Sequence, residues 1–162
     1  AATAIAGGVV VAFLPAAAGP QVAVPALFAQ SAAATVIRWL AGRASDRRPV
    51  AGLLTPAVLL TAAGMALAAF TGTPLAVVTG MAIFGAGFGL AQAASLTTML
   101  QRTRRSRYGQ VNAVWNAAYD LGWGAGALGV GVVVATAGHP AAFAVTSAVV
   151  LLAVPTALRA RR

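Results

Sequence analysis

The chain has 162 residues, of which 60% are hydrophobic and only 8% charged, and this balance excludes a soluble globular domain. Its formal charge of +9 comes from 11 arginines in three clusters: Arg38, Arg43, Arg47 and Arg48; Arg102, Arg104, Arg105 and Arg107; Arg159, Arg161 and Arg162. Such clusters would suit nucleic acid in a soluble chain, but here they close bilayer-length apolar segments, so lipid head groups are the expected anions and nucleic acid is not.

About fifty apolar residues separate one cluster from the next, enough for two bilayer crossings and a turn at roughly 20 residues per crossing. An even number of crossings returns the chain to one side, and arginine-rich short loops make that side the cytoplasm. The first apolar run, residues 1–14, is too short to cross and lacks the basic region of a signal peptide. It reads as a truncated helix, and the chain as a fragment. A turn over Pro15 to Pro20 leads to a second span at about 22–40, then a third at about 50–70. The turn Gly72, Thr73, Pro74 leads to a fourth at about 75–100, and a fifth follows at about 108–137. Gly138, His139 and Pro140 make the last turn, with His139 solvated, before a sixth span at about 141–158. All three outer turns lack arginine. The expected fold is an all-α membrane protein of six transmembrane helices, the first truncated, arranged as three hairpins. It is multi-pass in the cell membrane, with the C-terminus and the arginine-rich loops cytoplasmic.

Arg104, Arg105 and Arg107 precede the fifth helix, where the macrodipole disfavours positive charge; retention on the inner side outweighs that penalty. Arg38, near the inner end of the second span, can snorkel, and Trp39 belongs to an interfacial belt. Asp46 stands ahead of Pro49 and the third span, where a carboxylate can accept orphan N–H groups.

Chemistry-bearing residues are few. Cysteine is absent, His139 is the only histidine, and Asp46 and Asp120 are the only acids. Hydrolytic or metal chemistry calls for two or more convergent groups, so no enzyme, metal site or cofactor is expected. On the fifth span Asn112, Asn116, Tyr119, Asp120 and Trp123 share one arc at 100° per residue. Asp120 lies roughly 14 Å past Val111, near the bilayer midplane, where an ionisable group faces a cavity or a partner. It pairs with another part of the protein, faces water, or carries a proton; alternatively it glues helices through Asn116 or Tyr119. Gly122, Gly126 and Gly129 form a small-residue face for helix packing. On the fourth span Phe84, Phe88, Gln92 and Ser95 share a face that reads as packing or as a cavity wall.

The inner loop after the second span, Gly42, Arg43, Ala44, Ser45, Asp46, Arg47, resembles the loop motif of major facilitator superfamily transporters, with Pro49 in place of the motif's last glycine. The stretch Asn116 to Gly122 is similar to the eleventh helix of the drug and sugar efflux members. The resemblance implies the C-terminal six-helix half of a twelve-helix transporter, with the N-terminal half missing. It implies a gating loop at Gly42, Arg43, Asp46 and Arg47, although Asp46 reads equally as a cap on the third span. It also implies secondary active efflux of a small organic molecule, along a helix path to which Gln92 belongs; a proton-carrying Asp120 fits proton coupling, and Asp120, Asn116, Tyr119, Asn112 and Gln92 are the expected proton or substrate path. The partners are then the bilayer, the missing half, the substrate and protons. The alternative is a non-transporting membrane structural or interaction protein.

Overall fold

The computed structural model describes residues 2–45 and 50–160. Among them the chain is helical throughout: α1 (Ala2–Ala18), α2 (Pro20–Ser45), a 3₁₀ turn (Val50–Leu53), α3 (Leu54–Ala68), α4 (Pro74–Gln101), a second 3₁₀ turn (Arg105–Arg107), α5 (Tyr108–Leu151) and α6 (Val154–Arg159).

Glycine and proline set the helix ends. The first turn is shorter than the sequence suggests: α1 continues through Pro15 to Ala18, and only Gly19, at φ 72°, breaks it. A proline can stay inside an apolar helix when neighbouring helices hold the chain around its missing hydrogen bond. The Gly19 carbonyl then accepts from the N–H groups of Val22 (3.3 Å) and Ala23 (2.9 Å), which starts α2 at once. Before α4, Thr73 is extended and Pro74 takes a first-turn position, where its missing N–H costs nothing.

Gly138 lies inside α5 with φ 80° and ψ 174°, and it divides the run into arms 108–137 and 139–151. Tyr119 and Ala157 line one common cavity. A straight helix would hold those two residues roughly 57 Å apart, so the chain reverses at Gly138. Any side chain is disfavoured at that positive φ. Gly138→Ala is therefore expected to cost about 1–3 kcal/mol and to lower the melting temperature of the detergent-purified protein. Gly131→Ala, whose new methyl would meet only Phe13 at 3.6 Å, is the silent control. The last expected span is also interrupted, because α5 stops at Leu151 and α6 starts at Val154. Pro155 has no N–H for the Leu151 carbonyl and its ring crowds that carbonyl, which forces the break.

α4 lies between α2 and α3, α1 runs along the first arm of α5, and the second arm packs on α3. Small residues make these contacts. Gly85 and Gly89 of α4 press on the Gln30 and Ala34 backbones of α2, and Gly87 presses on Thr61 of α3. Gly126 of α5 presses on the Ile5 backbone, and Gly8 of α1 presses on Trp123. Ser147 also donates to the Ala62 carbonyl at 2.8 Å, tying the second arm to α3. Phe84, Phe143, Leu14, Met65 and Met81 are fully buried, while Phe28, Leu75, Leu121 and Leu128 lie on the outside at about three-quarters exposure or more. Glycine and alanine between helices with large apolar side chains outside is the arrangement a lipid surround selects, since burying leucine gains nothing there.

Three helical segments are long and apolar enough to cross a membrane: Pro20–Arg43, Pro74–Gln101 and Arg105–Arg159. The last contains the reversal at Gly138. Ala2–Ala18 and Leu54–Ala68 are shorter apolar helices.

Candidate functional site

The polar arc expected on α5 is two faces in the structure. Tyr119 is buried, whereas Asn112, Asn116 and Asp120 are exposed and Trp123 is half-buried. Neighbours on a helix point about 100° apart, and here the boundary between packed and open faces falls between Tyr119 and Asp120.

On the packed face, Trp115 and Tyr119 have ring centroids 4.3 Å apart, and Phe88 of α4 meets Tyr119 edge-on at 6.1 Å and Trp123 at 6.3 Å. Phe84 stacks on Phe88 at 5.6 Å, so the aromatic face of α4 is packing. The Trp115 indole N–H donates to Ser95 Oγ at 3.0 Å, and the Tyr119 hydroxyl lies 3.5 Å from Thr3 Oγ1. Thr3, Ser95, Tyr119 and Thr156 border a cavity of about 170 Å³. Four of its nine lining residues carry a hydroxyl, and the other five are apolar. Trp115 and Thr3 were not in the sequence-based site; the spacing of Trp115, Tyr119 and Trp123, one aromatic every four residues, is the signal that points to the first.

The open face differs in character. Asn116 Nδ2 donates to the Asn112 carbonyl at 2.8 Å, a bond within its own helix. Asp120 makes no hydrogen bond or ion pair among the described residues. Neither Asn116 nor Tyr119 bonds to it, so the trio makes no inter-helix hydrogen bond through Asp120 among the described residues. With Ala117, Leu121, Gly124, Ala125 and Leu128 it borders a shallow recess of about 700 Å³. The glycine face divides in the same way: Gly122 and Gly126 are buried, whereas a methyl at Gly129 would meet nothing within 4 Å. Gly129 therefore makes no close packing contact among the described residues.

Two further cations are placed. Arg38 does not only snorkel, because its Nη1 donates to Gln92 Oε1 at 2.9 Å and joins α2 to α4. The Arg43 guanidinium carbon sits 3.8 Å from the Trp39 ring centroid, a cation–π contact on the exposed end of α2. Gly42 beside it is exposed, and the loop residues Asp46 and Arg47 lie outside the described residues. His139, expected in solvent, is half-buried with its ring centroid 6.4 Å from that of Phe13. The reversal at Gly138 brings it back onto α1.

No curated protein and no solved structure matches the chain significantly. The family model of the Major Facilitator Superfamily matches residues 3–162. An all-helical, apolar chain with glycine-lined contacts, matched over almost its full length, belongs to the Major Facilitator Superfamily of membrane transporters.

Proposed function

We propose that the chain is the C-terminal six-helix half of a secondary active transporter that exports a small organic molecule in exchange for protons. The substrate path lies between this half and an N-terminal half of roughly 200 residues, and the two bundles rock about it. The arginine-rich loops and the C-terminus face the cytoplasm. Gly42, Arg43, Asp46 and Arg47 gate the inner side.

The observation that carries this reading is the open face of α5. Asn112, Asn116 and Asp120 are exposed there, and Asp120 has no partner among the described residues. A carboxylate at mid-helix in a membrane span belongs against a second bundle or a watered path, because lipid excludes it. Gln92, held by Arg38, supplies a second polar point on α4.

The test is reconstitution of the full-length protein in liposomes under an imposed pH gradient, with a panel of amphipathic cations, sugars and metabolites as cargo. At least one cargo is expected to move against its own gradient and to stop when a protonophore is added. Movement that persists unchanged after the pH gradient is collapsed removes the proton-coupling proposal. A cysteine at Ser106 is expected to be labelled from the opposite side to cysteines at Gly72 and His139; labelling of all three from one side overturns the orientation.

A further inference from the structure

We propose that Arg102, Arg104 and Arg107 form a binding site for a phosphate group, presented by an anionic phospholipid where α4 passes into α5. These three side chains and Thr103 border a recess of about 450 Å³. The turn that holds them is tight: the Thr103 N–H donates to the Leu100 carbonyl at 3.1 Å and the Arg107 N–H to the Arg104 carbonyl at 2.9 Å. The Thr103 hydroxyl donates to the Met99 carbonyl at 2.9 Å, so the recess offers an anion guanidinium donors and no free threonine proton.

Three features point to an anion. Three guanidinium side chains line one recess with no side-chain hydrogen bond or ion pair to any described residue, and an anion between them lowers their mutual repulsion. The first turn of α5 carries no acidic residue, so its positive dipole end adds to the excess where most helices would place a carboxylate. Guanidinium forks match phosphate oxygens two at a time, which makes phosphate the fitting group. The place favours lipid as its source. The recess closes two long apolar helices, and Tyr108 beside it is 38% exposed, as an aromatic at head-group depth should be.

This site does not depend on the transport reading, and its test does not use transport. Binding of phosphatidylglycerol and phosphatidylcholine to the detergent-purified full-length protein is followed by native mass spectrometry. The parent protein is expected to retain phosphatidylglycerol in preference to phosphatidylcholine. The triple variant Arg102→Ala, Arg104→Ala, Arg107→Ala is expected to bind phosphatidylglycerol roughly a hundredfold more weakly, and Arg107→Ala alone about fivefold more weakly. Arg159→Ala, at the far end of the chain, is expected to bind as the parent does. All these side chains are exposed, so the melting temperature should stay unchanged and a folding defect would be visible separately. Retention of phosphatidylglycerol in the presence of millimolar inorganic phosphate assigns the site to the lipid. Displacement by that phosphate keeps the phosphate site and overturns the lipid as its source. Equal binding of both lipids by the parent, or undiminished phosphatidylglycerol binding by the triple variant, overturns the proposal.

Discussion

Gly126→Leu is expected to unseat α1 from α5 and to abolish the monodisperse folded species. A β-carbon at Gly126 would meet the carbonyl of Ile5, which is backbone and not the movable end of a side chain. The contact is reciprocal, because Gly8 on α1 presses equally on the Trp123 carbonyl of α5. Relief would require the two helices to separate along their length, and separation in lipid gains nothing from the added leucine, since lipid tails are as apolar as the interior. The expected cost exceeds the usual 1–3 kcal/mol of an overpacked core, so about 3 kcal/mol is a lower bound. The loss reaches the site as well, because this seating holds Thr3 beside the Tyr119 hydroxyl at 3.5 Å. Fluorescence-detected size-exclusion after a temperature series reads the effect. Gly129→Leu, three residues on and facing open space, is the control. Similar melting of the two variants would show that the α1–α5 contact contributes little.

The same pair of glycines marks how far residue types alone carry. Arginine clusters and glycine or proline turns are local signals, so the helical order and the reversals near Gly72 and Gly138 could be read directly from them. Pro15 and Pro155 have opposite outcomes that proline chemistry alone does not separate: α1 runs through the first, and the chain breaks two to three residues before the second. Both rings are exposed, so burial of the proline does not separate them. The split of the α5 arc was hidden because it depends on which helices lie beside it. Tyr119 and Asp120 are both polar and adjacent, and only the positions of α1 and α4 decide that one points inward and the other does not. Gly126 and Gly129 were alike as small residues on one helix, and the axis of α1 separates them. In a chain that is apolar all round, periodicity gives no inward direction, because lipid-facing and packed faces share the same hydrophobic residues.

On the proposed proton-coupled reading, Asp120→Asn is expected to leave the folded bundle intact and to reduce pH-driven accumulation of cargo by at least about tenfold in the full-length protein. The fold should not respond, because Asp120 bonds to nothing among the described residues and asparagine has nearly the same volume. Function should respond, because the substitution removes both the charge and the exchangeable proton from a mid-helix position. Keeping a carboxylate in a membrane span costs about 2.5–3.5 kcal/mol on insertion scales, a penalty that a purely structural face could avoid with alanine. Arg38 makes no ion pair with Asp120 among the described residues; its Nη1 donates to Gln92 Oε1 at 2.9 Å. The decisive comparison is between pH-driven uptake and counterflow, in which labelled cargo exchanges with unlabelled cargo at no net proton cost. Loss of the first with survival of the second assigns Asp120 to coupling. Loss of both assigns it to cargo binding or to docking against the proposed second half, and retention of both means that the open carboxylate of α5 takes no part in the cycle.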